Sequence, residues 1–171
     1  MGKTADNIVP GVACFLGQYE YTVDAQRRLA IPSSWRGPGE ASHFVLLPGR
    51  ETSLQLVPAS TLQELIVKLQ KVSFADAQAA VALASIGSMA ADCRPEPRQG
   101  RIVLPPSLME HAGITDRAIL LGAVTTIQIW APENWKRRRM DSNRGLDVIQ
   151  ALQERPDDLT DILRKAIRPR K

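Results

Sequence analysis

Two stretches of this chain repeat each other, and the repetition restricts its fold more than any other feature. VDAQRRLAIP at residues 23–32 and EPRQGRIVLPP at 96–106 each crowd acid and arginine ahead of a short apolar run closed by proline. Arg28 and Arg101 stand 73 positions apart. Sliding the chain on itself by 73 aligns seven identical residues between 28 and 58 without a gap: Arg28/Arg101, Pro32/Pro105, Ser34/Ser107, Leu47/Leu120, Gly49/Gly122, Thr52/Thr125 and Gln55/Gln128. Chance alone would give about two, at a background of roughly one match in seventeen. Apolar positions correspond too, as in Leu29/Ile102, Ile31/Leu104, Leu46/Ile119, Leu54/Ile127 and Leu56/Ile129. The chain reads as a duplicated unit.

Each copy predicts the same local order. A β run follows the arginine (RLAIP, RIVLPP), and proline ends it. A short helix or turn follows in SSWR and SLMEHAG, then a second strand in FVLLPG and AILLGA. Glycine at the shared position 49/122 predicts a turn with positive φ. A third strand, SLQLVP or TIQIWAP, leads into a helix. In the first copy Thr61 and Glu64 have the spacing of a capping box, and Leu62, Leu65, Ile66 and Leu69 share a helical face. In the second, Pro132 and Glu133 suit a first turn ahead of Trp135. FADAQAAVALASIGSMAA predicts an alanine-rich helix between the copies. Past residue 140, GLDVIQAL and DDLTDILRKAIR predict short helices broken at Pro156.

Three short strands cannot cover their own apolar face. Two units in one chain would therefore pair into a pseudo-twofold β body, and that symmetry would bring the two acid–arginine turns to one side. The domain plan is an N-terminal extension over 1–14, a first unit over 15–60 and connecting helices over 61–90. A second unit over 91–135 and a basic tail over 136–171 complete it.

Charge separates the tail from the body. Residues 1–135 hold 11 Lys/Arg against 12 Asp/Glu, a net of −1, whereas 136–171 hold 11 against 6, a net of +5. KRRR at 136–139 and RKAIRPRK at 164–171 could hold phosphates without sequence preference, or could be a solvated helix end and a frayed terminus. Two cysteines, Cys14 and Cys93, and two histidines, His43 and His111, have no metal-ligand or disulfide-framework spacing. No grouping of Ser, His and Asp and no phosphate-cradling glycine loop is present, and carboxylates beside arginines make poor proton carriers at neutral pH. Cys93 follows Asp92 and lacks a candidate base, so it reads as a small buried hydrophobe. The expectation is a non-enzyme that needs no cofactor or metal, has no small-molecule substrate or membrane span, and resides in the cytoplasm. Trp35, Trp130 and Trp135 read as core or subunit contacts.

An arginine on a turn backed by a rigid strand can hold a phosphate or a guanine edge, with a neighbouring carboxylate orienting it. The same residues could instead be ion pairs, Asp24 with Arg28 and Glu96 with Arg101, that only shape their turns.

FLGQYEYTVDAQRRLAIPSSWR, MAADCRPEPRQGRIVLPPSLMEHAGITDRAILLGA and IQIWAPENW together resemble the MraZ family, tandem-repeat members of the SpoVT–AbrB superfamily. The resemblance covers roughly residues 15–135. It implies an α+β fold of two AbrB-like swapped-hairpin β units with short flanking helices. It further implies a transcriptional regulator, associated with the nucleoid, that forms a ring homo-oligomer of eight or more subunits. Such a ring would bind direct repeats of double-stranded DNA in the promoter of a division and cell-wall gene cluster. The family signature, Asp-x-x-x-Arg, falls on Asp24 and Arg28, and its arginines face DNA. The chain departs from the pattern twice. Arg27 replaces the usual glycine before Arg28, and the second turn carries Glu96 for Asp and one extra residue before Arg101, with Gly100 in the expected place. Arg27 and Arg98 thereby become additional DNA-contact candidates beside Arg28 and Arg101, with Asp24 and Glu96 as orienting acids. An alternative is an antitoxin-like protein-interaction module of the same fold, with the C-terminal tail binding the partner.

Overall fold

The computed structural model describes residues 8–37 and 42–167, so residues 1–7 of the predicted extension and 168–171 of the basic tail lie outside the described residues. The chain divides into two compact units, Met1–Pro132 and Glu133–Lys171.

Among its described residues the first unit contains eight strands: β1 Gln18–Thr22, β2 Arg28–Ala30, β3 Phe44–Pro48, β4 Ser53–Pro58, β5 Ala91–Cys93, β6 Arg101–Val103, β7 Arg117–Gly122 and β8 Ile127–Trp130. Three helices accompany them: α1 Ala59–Leu69, α2 Ala77–Met89 and α3 Pro106–Ala112. The prolines act as the sequence predicts. Pro32 precedes a 3-10 turn at Ser33–Trp35, and Pro105 and Pro106 open α3.

Each repeat contributes four strands, not three. QYEYT alternates half-buried and exposed positions as β1, ahead of the first turn, and the equivalent ADC forms β5. These added strands interlock the repeats. β1 of the first repeat pairs antiparallel with β7 of the second, and β5 of the second pairs with β3 of the first. The six-stranded sheet runs β1-β7-β8-β4-β3-β5, with its pseudo-twofold axis between β8 and β4. β2 and β6 form a separate two-stranded ribbon, in which Leu29 faces Ile102. This is the tandem swapped-hairpin α+β arrangement.

The symmetry extends to single hydrogen bonds. Ile31 N–H donates to Gly100 O at 2.9 Å, and its equivalent Leu104 N–H donates to Arg27 O at 2.8 Å. Four equivalent pairs in the core are fully buried on both sides: Leu29/Ile102, Ile31/Leu104, Leu54/Ile127 and Leu56/Ile129. Neither repeat could bury these residues alone, since each supplies half of every layer. Leu120 lies on a central strand of the same core and is fully buried. Leu120→Ala is expected to cost about 3 kcal/mol of unfolding free energy, read from the midpoint of a urea titration, because the close-packed site cannot collapse around the lost atoms.

Two local expectations are corrected. Gly49 and Gly122 do not carry positive φ; that role falls two residues later on Glu51 (φ 65°) and Val124 (φ 66°), themselves 73 apart. The glycines are there for close approach. A Cβ on Gly122 would lie 2.4 Å from the carbonyl of Phe15, whose N–H bonds Val124 O at 2.7 Å, and one on Gly49 would lie 2.2 Å from Ser53 Oγ. The capping box at Thr61 does not form. The strand runs straight through Pro58 into α1, which begins at Ala59, so Thr61 is already inside the first turn. The apolar face of α1 exists, but no residue of that helix is buried in the single chain.

The second unit is helical. α4 Pro132–Arg138 starts on the predicted proline and ends with Lys136, Arg137 and Arg138, where cations complement the carbonyl end of a helix. α5 Ser142–Glu154 is capped by Asp141, whose carboxylate accepts from Arg144 N–H at 2.9 Å. Pro156 breaks the chain as expected, and α6 Leu159–Ile167 packs Ile162 and Ala166 out of solvent.

Candidate functional site

The two acid–arginine turns meet on one surface. Asp24 organises the first. Its Oδ1 accepts from the N–H groups of Gln26 and Arg28, both at 2.9 Å, which fixes the turn, and its Oδ2 accepts from Arg28 Nε at 2.7 Å. Asp24 thus engages Arg28 through Nε. The Nη pair, the bidentate end that fits a guanine edge or a phosphate, lies outside this contact. The backbone N–H of Arg28 most of all, with smaller contributions from its guanidinium and the Gln26 N–H, holds the Asp24 carboxyl below its ordinary value of 3.8, against desolvation, which is the second-largest influence.

The expected Glu96–Arg101 pair does not form. Glu96 turns its carboxylate to the turn backbone, accepting from Arg98 N–H at 3.3 Å and from Gln99 N–H. Arg101 reaches instead across the pseudo-twofold to Asp24 Oδ2, with Nη1 at 3.5 Å. One carboxylate therefore orients arginines from both repeats, Arg28 closely and Arg101 loosely.

The longer second turn explains the change. Tyr21 and Asp92 face the equivalent residues Ala118 and Val45, yet stand 71 apart. Asp24 and Glu96, whose N–H groups donate to the carbonyls of Arg28 and Arg101, stand 72 apart, and Arg27 and Gly100 restore 73. The second repeat thus has two extra residues between β5 and Arg101, one before Glu96 and one within the turn. Sequence reading found only the latter.

Arg27 and Gly100 occupy the same left-handed conformation, at φ 59° and 63°. Arginine there costs on the order of 1 kcal/mol relative to an unstrained residue. Arg27 is exposed on the turn, as is Arg98 on the other. Arg27→Gly is expected to unfold at the same or higher urea concentration, while losing one unit of charge from this surface. A fall in midpoint would show that the Arg27 side chain supports the turn.

Arg36 was not visible in the repeat, because its equivalent position is Met109. Its guanidinium occupies the space above Gly100, where a Cβ would lie 2.3 Å from Cζ, and its Nε is buried without a hydrogen-bond partner. It braces the second turn by filling the room that a glycine leaves.

Because the Asp24 pKa is lower in the folded chain, its contribution to stability is complete above 3.8 and is lost as pH falls through the folded value. A carbon-13 carboxyl titration should place the Asp24 midpoint below 3.8. In Arg28→Ala the midpoint should rise but stay below 3.8, since the residue-28 N–H remains. A midpoint at or above 3.8 in the native chain would contradict the geometry.

The remaining candidates have structural surroundings. Trp35 is buried, donates Nε1–H to Leu16 O at 3.2 Å and meets Phe15 and Tyr19 edge-on. Trp130 is buried and donates to Gln128 Oε1 at 2.9 Å, and Trp135 is half-buried. Cys93 is buried, and burial first, then the Asp92 charge, pushes its thiol up to about 11. Among the described residues no group of three His, Cys, Asp or Glu could hold a metal ion, and no helix is long and apolar enough to cross a membrane.

A protein-family model described as "MraZ protein, putative antitoxin-like" matches residues 14–84 and 97–144. The chain is similar to the transcriptional regulator MraZ of Herpetosiphon aurantiacus, with 38% identity over 122 residues, 71% of this chain and 84% of that protein. The MraZ regulator of Thermomicrobium roseum is 36% identical over 143 residues, 81% of this chain and 96% of that protein. That of Desulforamulus reducens is 30% identical over 135 residues, 79% and 94% of the two chains. These relatives carry a regulator's name, not an enzyme's.

Proposed function

This chain belongs to the MraZ family, and on that premise we propose that it is a transcriptional regulator that binds double-stranded DNA through the paired turns described above. The observation that carries the reading is the sharing of Asp24 by Arg28 and Arg101. A single carboxylate presents two arginines from one rigid surface, and Arg27 and Arg98 flank them. Four arginines against Asp24 and Glu96 leave that surface at a net of +2. Base edges are read by such oriented guanidinium groups, and the flanking charges hold phosphates.

The assembly is a ring homo-oligomer. α1 and α2 support this reading, because Leu65, Ile66, Val67, Val81, Ile86 and Met89 are about half exposed or more and Phe74 between the helices is 95% exposed. α2 has no charged residue over its whole length. Monomers rarely leave so much apolar surface in contact with water. Head-to-tail contacts that close give a ring, and a ring presents many paired turns at once. Short direct repeats spaced to match neighbouring subunits are then the natural target, in the promoter of a division and cell-wall gene cluster. Association with the nucleoid follows. A toxin-binding tail fits less well, because residues 142–167 fold as two helices packed on each other instead of an extended segment.

Selection from a randomised duplex pool tests this. Enrichment of one short element, repeated in the same direction at fixed spacing, is the expected result. Recovery of unrelated sequences, or of none, would overturn the reading.

A further inference from the structure

Among the described residues, one buried side-chain nitrogen or oxygen lacks a hydrogen-bond partner, and it is Nε of Arg36. None of the ion pairs among those residues includes Arg36 either. A guanidinium keeps its charge at any pH the fold meets, and a buried N–H without an acceptor is costly. Filling space beside a turn requires neither. Methionine stands at the equivalent position, 109, partly buried against the core and uncharged.

The position of the guanidinium gives the charge a use. A Cβ on Gly100 would lie 2.3 Å from Cζ of Arg36 and 2.4 Å from both Nε and Nη1. Three distances so nearly equal mean that the group lies face-on over Gly100, with its N–H groups directed sideways along its plane. Arg27 is the equivalent of Gly100, with the same left-handed backbone, and its carbonyl accepts from Leu104 N–H as that of Gly100 accepts from Ile31 N–H. The side chain of Arg27 therefore leaves the first turn along the direction in which Arg36 covers the second. An arginine at position 100 would collide with Arg36, so each turn has room for one arginine at this place. The first turn carries its own, and the second receives one from the segment after the 3-10 turn Ser33–Trp35. Nε is the sealed nitrogen, and Arg36 as a whole is partly exposed, so the Nη end is the accessible one.

We propose that Arg36 is a further DNA-contacting residue, which holds a backbone phosphate beside the second turn as Arg27 does beside the first. The proposal rests on the DNA-binding reading and extends it to a residue outside both turns. A phosphate suits this arginine better than a base edge does. The group lies flat on the protein instead of projecting from it, and a phosphate needs only charge and N–H donors from whatever it settles against.

Single phosphates made neutral as methylphosphonates, scanned along the duplex upstream of the chain's own coding sequence, test it with the full-length chain. At one phosphate per bound second turn the native chain should lose about fivefold in affinity, and Arg36→Met should lose nothing further there, a coupling of the size found between groups in contact. Arg36→Lys, which keeps the charge, should recover most of the loss at that phosphate. Arg36→Met should also lower the salt slope by about one for each second turn engaged. Amide exchange at Ile31, whose N–H donates to Gly100 O at 2.9 Å, should be unchanged in Arg36→Met, because methionine retains the bulk. Identical methylphosphonate profiles for the native chain and Arg36→Met would overturn the proposal while leaving the DNA-binding reading in place. Faster exchange at Ile31 with an even loss of affinity at every phosphate would also overturn it, and make Arg36 a brace alone. A native chain that binds no duplex would overturn both.

Discussion

Arg28→Ala is expected to weaken binding to the target DNA by about 10- to 100-fold per engaged turn, the effect of losing one good bidentate base contact. Binding to unrelated DNA should change far less. The turn itself should persist, because Asp24 Oδ1 still caps the N–H groups of residues 26 and 28. Arg101→Ala should act in the same direction with a smaller effect, since its hold on Asp24 is a single 3.5 Å contact through Nη1. In an assembly with many turns these losses multiply, so the apparent change for a multi-repeat target should exceed that for one repeat. Competition titration with single-repeat and multi-repeat duplexes measures both effects. Equal losses on target and unrelated DNA would reduce Arg28 to a general phosphate contact.

The second large effect concerns assembly. Phe74→Glu is expected to reduce the native mass from a multi-subunit particle to a much smaller species in sedimentation velocity. Phe74 is almost wholly exposed in the single chain, so the substitution removes no intrachain packing, and a surface change of this kind usually shifts stability by no more than about 0.5 kcal/mol. A charge buried at a subunit contact, by contrast, goes unpaired at every interface of a ring. Affinity for a multi-repeat target should collapse toward that for a single repeat. A native mass unchanged by Phe74→Glu would place the subunit contact elsewhere and leave the apolar surface of α1 and α2 unexplained.

Much of this fold was legible because duplication wrote it twice. The self-alignment located β2, β3, β4 and their partners β6, β7 and β8, along with the four buried core pairs. β1 was legible in principle, from the alternation in QYEYT. β5 was not, since ADC has three residues and no alternation to read, and its pairing with β3 is set by the other repeat. The positive-φ positions were misplaced for a physical reason. Glycine serves close approach as well as left-handed backbone, and sequence does not separate the two. Gly49 and Gly122 make room for a neighbouring chain segment, while Glu51 and Val124 take the strained conformation.

The candidate site divides the same way. Asp24, Arg28 and Arg101 were found from spacing, and the structure brings them together. The partner of Arg101 was misassigned, because Glu96 lies beside it in sequence while Asp24 is 77 positions away. A glutamate one methylene longer, in a turn one residue longer, reaches the turn's own N–H groups instead of the arginine. Arg36 lacks a counterpart in the other repeat, and a search for symmetry passes over it.

Fluorescence anisotropy of the full-length chain on the DNA upstream of its own coding sequence, against a shuffled duplex and across a salt series, tests the central claim most directly. The expected result is a lower Kd for the upstream duplex at every salt concentration, with the preference lost in Arg28→Ala. Equal, steeply salt-dependent binding to both duplexes, unchanged by Arg28→Ala, would contradict it and leave only nonspecific contact by basic surface.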